Sequence, residues 1–208
     1  MYAVIFDLGG TLMWWPDWVE GAAEKWTAGH TRLVATRPGT WPDAEPFVAA
    51  MRAAENEHWT GVEGPMHVSG DPAALVSNGF ARLGLSAGEA DALAVVHNAD
   101  LATHGLDALL DATLYTSEVP HSKPHPSVFL EAARRLGVAP EACVMVGDRM
   151  IDDVSGAQSA GMRGIWKRNA HTPVRDDIRP DAIVDRVAEV PAIVAGWAVR
   201  SSVQESAL

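Results

Sequence analysis

Three short stretches of this 208-residue sequence carry side chains that could do chemistry together. The first, residues 7–12 (DLGGTL), places the Asp7 carboxylate after an apolar run and just before two glycines. Such a carboxylate can approach a phosphoryl group with little steric hindrance and attack it as a nucleophile, forming an acyl phosphate. Backbone N–H groups of the following turn, at Gly10 and Thr11, can bind phosphate oxygens.

The other two stretches supply a cation and more carboxylates. Lys123 lies in residues 118–126 (EVPHSKPHP), where flanking prolines stiffen the loop and fix the direction of the ammonium group. Residues 147–153 (GDRMIDD) bring several carboxylates into one loop. Oxygen ligands of this kind suit a hard cation such as Mg²⁺, which proteins often share with phosphates.

Each stretch also has a purely structural explanation. Asp7 could cap a turn, Lys123 could be a surface charge, and Asp152 and Asp153 could complement the dipole at a helix N-terminus. All three stretches occur in order, however, and each is predicted to lie at the end of a strand. This combination favours a catalytic site.

The elements that position these residues are predicted to form a parallel sheet. Residues 2–6 (YAVIF) and 143–146 (CVMV) form short runs in which successive residues, which would point to opposite faces of a sheet, are all apolar. This pattern is typical of strands that are covered on both faces. Ligands of open α/β sheets bind outside the carboxyl ends of the strands. Asp7 and Asp148 would therefore meet if the two strands are neighbours.

The rest of the C-terminal half alternates helices and short strands, which predicts an α/β fold with a Rossmann-like parallel sheet and flanking helices. Helices are predicted over 126–136, with Gly137 as C-cap, over 152–160 and over 191–199. Strands are predicted over 164–166 and 182–184.

Residues 14–106 are predicted to form a small helical cap, and residues 1–13 and 107–208 the α/β core. The segment lacks buried-strand runs and carries helix starts at Asp71-Pro72 and at residues 86–89 (SAGE). Trp14, Trp15 and Trp18 follow Asp7 closely. They could pack inside the cap, or form an apolar lid that contacts substrate.

Composition excludes several classes of protein. Hydrophobic residues make up 48% and charged residues 21% of the chain, which is typical of a soluble globular protein. A net charge of −11 argues against nucleic acid as a partner. We expect no membrane helix, because no apolar run reaches about 18 residues, and no secretory signal, because the first residues lack a basic flank. A single cysteine, Cys143, favours a reducing compartment such as the cytoplasm.

Taken together, the motifs resemble those of the haloacid dehalogenase (HAD) superfamily of hydrolases, in particular its phosphatase-like members with a helical cap after the first motif. The resemblance covers residues 1–13 and about 107–190, and its most specific parts are residues 115–126 and 146–162. It implies a Mg²⁺-dependent hydrolase of a small phosphorylated metabolite that acts through an aspartyl-phosphate. The sequence leaves open whether the protein is a monomer or a homodimer.

The resemblance also implies residue roles. Asp7 would be the nucleophile, and Lys123 would stabilise the charge on Asp7 and on the phosphoryl group. Asp7, Asp148, Asp153 and the backbone carbonyl of Gly9 would hold Mg²⁺.

Gly9 is the first departure from the family pattern, because phosphatases of the family usually have a second aspartate there as general acid and base. Its loss typically costs about 10²–10⁴-fold in rate, most with a poor leaving group. We therefore expect activated phosphates as substrates, or a substitute carboxylate from the cap at Asp17, Glu20 or Glu24.

The second departure concerns the family's strand that ends in a phosphate-binding hydroxyl. Residues 75–78 (LVSN) and 95–98 (VVHN) both fall in predicted helices, whereas residues 114–117 (LYTS) match the following family strand. We expect a deletion of roughly 20–30 residues, the scale of a βα unit, near His104-Gly105. The strand at 113–117 would then lie beside the first strand, with Thr116 or Ser117 supplying the hydroxyl.

Three other functions remain open. Dehalogenation also uses an aspartate nucleophile but needs no metal, so the acidic loop counts against it. Phosphonate cleavage needs a cap lysine for a Schiff base, and Lys25 is the only cap lysine. A catalytically impaired binding or regulatory protein is favoured by Gly9 and opposed by the retained Asp7, Lys123, Asp148 and Asp153.

Overall fold

The computed structural model describes residues 2–13, 18–60, 72–86, 88–115, 118–170 and 172–205. The chain divides into two compact units, one of Met1–Trp14 with Lys123–Leu208 and one of Trp15–Ser122. Residues 107–122 are thus grouped with the helical unit, whereas the sequence analysis assigns them to the core. The domain assignment made from the sequence stays a prediction.

The main elements follow one another along the chain in the order β1 (Ala3–Phe6), α1 (Trp18–Thr36), α2 (Ala44–Thr60), α3 (Pro72–Arg82), α4 (Glu89–Thr103), α5 (Pro126–Leu136), β2 (Cys143–Gly147), α6 (Gly156–Ser159), β3 (Arg163–Lys167), β4 (Ala182–Val184) and α7 (Val190–Glu205). A π-helical turn, Met150–Ser155, leads directly into α6. None of the described helices is long and apolar enough to cross a membrane.

The core unit is built on a four-stranded parallel sheet in the order β1-β2-β3-β4, which confirms the predicted fold class. β1 pairs with β2 from Ala3 opposite Cys143 to Phe6 opposite Val146. Every residue of β2 is buried, as expected for a central strand covered on both faces. One face of the sheet packs with the start and middle of α7, through Val144, Val146, Ile165, Val184, Val190 and Trp197.

The helices of the core unit largely follow their sequence signals. α5 begins at Pro126 after His125, whose ring nitrogen accepts a hydrogen bond from the N–H of Ser127. It ends at Gly137, which has a φ of 65° and caps the carbonyls of Ala133 and Arg134, as predicted. The helix predicted over 152–160 instead starts earlier, as the π-helical turn Met150–Ser155, and continues as α6 to Ser159.

The helical unit contains α1 to α4, and the described residues between 18 and 106 include no strand, as the sequence predicts for the cap segment. Its core is a cluster of large apolar side chains, including Trp26, Leu33, Phe47, Met51, Val76 and Val96. The buried Glu55 of α2 accepts hydrogen bonds from Lys25 Nζ (2.5 Å) and Trp26 Nε1 (2.8 Å), both on α1. Residues 75–78 and 95–98 lie inside α3 and α4, respectively, which confirms their helical assignment.

The predicted strand over 113–117 is not present in its described part. Residues 113–115 are irregular, the Tyr115 N–H is bound by the Glu118 side chain, and the Tyr115 hydroxyl donates to Asn98 on α4. The backbone here is therefore held by a turn and by side chains instead of a neighbouring strand. Thr116 and Ser117 lie outside the described residues.

Candidate active site

The first part of the site is the turn that follows β1. The N–H of Asp7 donates to the carbonyl of Val146 (2.9 Å), which extends the β1–β2 ladder and holds Asp7 beside the end of β2. The carbonyl of Leu8 then accepts from Leu12 and Met13, which closes the turn. Gly10 has a φ of +79°, and a Cβ there would lie 2.5 Å from Asp148 Oδ2. Only glycine lets this turn approach Asp148 so closely.

The two N–H groups predicted to bind phosphate are used inside this turn. Gly10 donates to the carbonyl of Met13 at 2.8 Å, and Thr11 makes a longer contact of 3.4 Å to Leu8. The Thr11 hydroxyl, by contrast, is buried and has no hydrogen-bond partner among the described residues. The hydroxyl of Thr11 is therefore the better candidate in this turn for a bond to a ligand oxygen.

Lys123 joins two of the predicted carboxylates. Its Nζ lies 2.6 Å from Asp7 Oδ1 and 2.6 Å from Asp153 Oδ1. Burial lowers the pKa of Lys123, but the carboxylates of Asp153 and Asp7 outweigh that effect and hold its pKa above the ordinary value. The side chain therefore stays a cation between the two acids.

Asp148 and Asp153 are placed by the end of β2 and the π-helical turn. Both side chains are buried. Asp153 turns back toward β2, and its Oδ2 accepts from the N–H of Arg149 at 2.9 Å. A Cβ on Gly147 would lie 2.2 Å from Asp153 Cγ, so the backbone of β2 must have a glycine at this point.

Three acids meet as a result. One carboxylate oxygen from each of Asp7, Asp148 and Asp153 lies within 4.8 Å of the other two. Burial raises the pKa of Asp148 to about 6, with a further contribution from the charge of Asp7. Burial also raises the pKa of Asp153, and its pairing with Lys123 offsets only part of this effect. Lys123 alone does not balance the negative charge of this cluster.

The donor set fits a divalent cation. Asp148 Oδ1 is buried and has no hydrogen-bond partner among the described residues. A buried, unpaired carboxylate oxygen is costly, and a bound cation would remove that cost. The three carboxylates offer only oxygen atoms, as hard cations prefer.

The structure brings together Asp7, Lys123, Asp148 and Asp153, as the sequence analysis expects, and places Gly9, Gly10 and Thr11 in the turn beside them. Gly9 itself is exposed, and a Cβ there would meet nothing within 4 Å. Trp14, Trp15 and Asp17 lie outside the described residues, as do Thr116 and Ser117. Trp18 begins α1, and Glu24 is exposed on the same helix.

Sequence reasoning missed Asn169, whose Nδ2 donates to Asp148 Oδ2 at 2.5 Å. The residue lies two positions after β3 ends. The rule that ligands bind at the carboxyl ends of parallel strands could have identified it, because it follows the third strand as Asp148 follows the second.

Comparisons with known proteins agree with this geometry. Residues 121–190 match the family described as HAD-hydrolase-like. The chain is 32% identical over 169 residues to the glyceraldehyde 3-phosphate phosphatase of Methanopyrus kandleri, over 79% of this chain and 71% of that protein. It is 36% identical over 86 residues to human N-acylneuraminate-9-phosphatase, which covers 40% of this chain and only 35% of the human protein.

Solved structures show the same fold. The HAD phosphatase from Thermococcus onnurineus matches with a TM-score of 0.57 at 21% identity, over 94% of this chain and 99% of that chain. A 2-haloacid dehalogenase from Pseudomonas syringae matches with a TM-score of 0.55 at 23% identity, over 93% and 98%. At these sequence identities, the two matches show only that the fold is shared.

The fold and the site define an α/β protein whose parallel sheet gathers an aspartate, a lysine and two further acids at its carboxyl edge. The similarity to the Methanopyrus kandleri protein is specific enough to go further: the chain belongs to the HAD superfamily of hydrolases and resembles its phosphatases.

Proposed function

We propose that this protein is a Mg²⁺-dependent phosphatase of a small phosphorylated metabolite and that it works through an aspartyl-phosphate on Asp7. The observation that carries this proposal is the position of Lys123, which lies 2.6 Å from both Asp7 and Asp153 in a cluster that also includes Asp148. The similarity to named phosphatases supports the same class of substrate.

The reaction would proceed in two displacements on phosphorus. A carboxylate oxygen of Asp7 attacks the phosphorus atom, the bond to the leaving oxygen breaks, and that oxygen takes a proton from solvent. Water then attacks the phosphorus of the acyl phosphate, which releases inorganic phosphate and regenerates the Asp7 carboxylate.

The neighbouring side chains would hold charge during both steps. Lys123 lies 2.6 Å from Asp7 and would stabilise the negative charge that develops on the phosphoryl oxygens. Asp148 and Asp153, with Asp7 and the backbone carbonyl of Gly9, would hold Mg²⁺. The ion, when bound, would polarise the phosphoryl group and neutralise charge in the site.

The remaining contacts to substrate follow from the surroundings of Asp7. The Thr11 hydroxyl, buried and without a partner among the described residues, is a donor for a phosphoryl oxygen, and Thr116 or Ser117 would supply a second one. The helical segment would serve as a cap that excludes bulk water, with Trp14, Trp15 and Trp18 against the substrate.

Gly9 restricts the leaving group. It adds no acid to the turn, so an alkoxide would leave without a proton from this position. We therefore expect acyl or aryl phosphates to be hydrolysed faster than sugar phosphates, unless Asp17, Glu20 or Glu24 serves as the acid.

The test is hydrolysis of p-nitrophenyl phosphate with Mg²⁺ and with EDTA, for the wild-type protein and Asp7→Asn. The proposal requires turnover that is lost in EDTA and reduced at least about 10³-fold in Asp7→Asn. Asp111→Asn, which makes the same chemical change at an exposed position, should keep full activity. Equal turnover by the wild-type protein and Asp7→Asn would disprove the mechanism.

The alternatives give different results in the same series. A dehalogenase would leave the phosphate ester intact and release chloride from 2-chloropropionate without added metal. A binding protein on this fold would do neither. Phosphonate cleavage through a Schiff base is disfavoured because Lys25 is already paired with the buried Glu55, whereas a Schiff base requires a neutral, accessible amine.

A further inference from the structure

The loop after β3 contacts the carboxylate that ends β2. β3 lies next to β2 in the sheet, with Trp166 opposite Gly147, so the residues that follow the two strands meet at one edge. Trp166 Nε1 donates to the backbone carbonyl of Asp148 at 2.9 Å. Asn169 then reaches the Asp148 side chain, with 2.5 Å between Nδ2 and Oδ2.

The orientation of the Asn169 amide is fixed by its other end. Its oxygen accepts from the N–H of Thr172 at 2.9 Å and from the Thr172 hydroxyl at 3.1 Å. A backbone N–H can only donate, so the atom that faces it must be the amide oxygen. The NH₂ group therefore faces Asp148, where it meets an acceptor.

The two oxygens of Asp148 consequently have different surroundings. Oδ2 is enclosed, since Asn169 donates to it and the backbone of Gly10 passes so close that a Cβ would lie 2.5 Å away. Oδ1 is buried and has no hydrogen-bond partner among the described residues. One oxygen is occupied by the protein, and the other is left for a ligand.

We propose that Asn169 is a positioning residue that holds Asp148 Oδ2 and thereby presents Oδ1 to the metal ion of the site. The inference rests on the proposed metal-dependent function. It adds a residue from the third strand to a site whose acids follow the first two strands. Hydrogen bonds to the carboxylate ligands of a metal typically change metal affinity by 10–100-fold, because they fix the orientation of the ligand before the metal binds.

A structural explanation competes with this proposal: Asn169 could serve only to shape the loop through its bonds to Thr172. Two substitutions separate the roles. Asn169→Asp keeps an oxygen for Thr172 but replaces the donor toward Asp148 with a second carboxylate. Thr172→Ala removes one bond to the Asn169 oxygen and leaves the contact with Asp148 intact.

The experiment is calorimetric titration of the metal-free proteins with Mg²⁺ and Mn²⁺, which measures affinity without turnover. We expect Asn169→Asp and Asn169→Ala to weaken binding at least 10-fold, and Thr172→Ala to change it less than threefold. Arg168→Ala is the matched control. Arg168 directly precedes Asn169, and its substitution removes only an exposed ion pair with Asp185. Thermal unfolding of the metal-free variants checks that each is folded. If Asn169→Asp does not fold, Asn169→Ala still tests the proposal, because it adds no charge beside Asp148.

The outcomes are distinguishable. Wild-type affinity in both Asn169 variants, or equal losses in Asn169→Ala and Thr172→Ala, would overturn the positioning role while leaving the metal site in place. No binding to the wild-type protein would instead overturn the metal site itself, and the positioning role with it.

Discussion

Two buried carboxylates, one in each unit, have opposite surroundings. In the helical unit, Glu55 has a partner for each oxygen, Lys25 for one and Trp26 for the other. In the core unit, Asp148 is similarly buried, but among the residues that the structure describes only its Oδ2 has a hydrogen-bond donor. Burial of either carboxylate without partners would cost free energy. The described residues provide hydrogen-bond donors for both oxygens of Glu55 but for only one oxygen of Asp148.

This difference distinguishes an acid that stabilises the fold from an acid that is available to a ligand. A completely paired charge fixes how α1 and α2 pack and needs nothing from outside. A partly paired charge stores unfavourable free energy that a bound cation can release. Substitutions at the two acids should therefore change stability in opposite directions.

Glu55→Gln should have the largest effect on stability, a loss of roughly 3 kcal/mol in the free energy of unfolding. The substitution removes the negative charge of Glu55, which pairs with the ammonium group of Lys25, a group that is only 15% exposed. Thermal unfolding should show a clearly lower midpoint. Glu57→Gln, two residues along the same helix, should change stability by less than about 0.5 kcal/mol, because Glu57 is exposed.

Gly147→Ala should destabilise the core unit by about 2 kcal/mol, as overpacking of a buried site does. The new methyl carbon would lie only 2.2 Å from Asp153 Cγ, so the Asp153 carboxyl group would have to move. Mg²⁺ affinity, measured by calorimetry, should fall together with stability. Gly88→Ala places its Cβ in open space, and if it caused the same losses the explanation by crowding would be wrong.

Asp148→Asn should stabilise the metal-free protein, by about 1 kcal/mol at pH 7, while abolishing Mg²⁺ binding. The folded-state pKa of Asp148, about 6, lies above its ordinary value of 3.8, so the fold disfavours the charged form. This penalty is fully present above pH 6 and is removed as the pH falls through that value.

The wild-type protein without metal should accordingly gain stability relative to Asp148→Asn between pH 7 and pH 5. Chemical denaturation at both pH values, in EDTA, measures the difference. A variant that is less stable than the wild-type protein at pH 7 would contradict the contrast between Asp148 and Glu55.

Gly9→Asp should have the smallest effect on stability, within about 0.5 kcal/mol, because a Cβ at Gly9 meets nothing within 4 Å. The new carboxyl group would stand two residues after Asp7, where it could protonate a leaving oxygen. We expect faster hydrolysis of a sugar phosphate and little change with p-nitrophenyl phosphate. Gly9→Asn, which cannot give up a proton, should show no such gain.

The parts of the site that were predicted from the sequence are those encoded by short contiguous motifs. Asp7, Asp148 and Asp153 follow apolar runs that form adjacent strands, so their meeting follows from strand order. Lys123 was predicted from its own loop, and the structure places its Nζ 2.6 Å from Asp7 Oδ1 and from Asp153 Oδ1.

The failures occurred where tertiary context decides the structure. Residues 113–115 have strand-like composition, but the Tyr115 hydroxyl binds Asn98 on α4 and the backbone N–H binds Glu118. Asn169 carries no local signal of its contact with Asp148, because the two residues come together only through the pairing of β2 with β3. Similarly, the use of Gly10 and Thr11 N–H groups inside the turn depends on the path of the chain to Met13.

The strand order has a consequence for how the protein is made. Within the described parts of the chain β1 pairs with β2 alone, so residues 3–6 gain this partner only after the ribosome has delivered residues 143–146. α1 to α4, by contrast, find their packing partners within residues 18–103. During synthesis the helical unit can therefore become compact while the first strand, followed directly by Asp7, is still an unpaired apolar segment that a chaperone could bind.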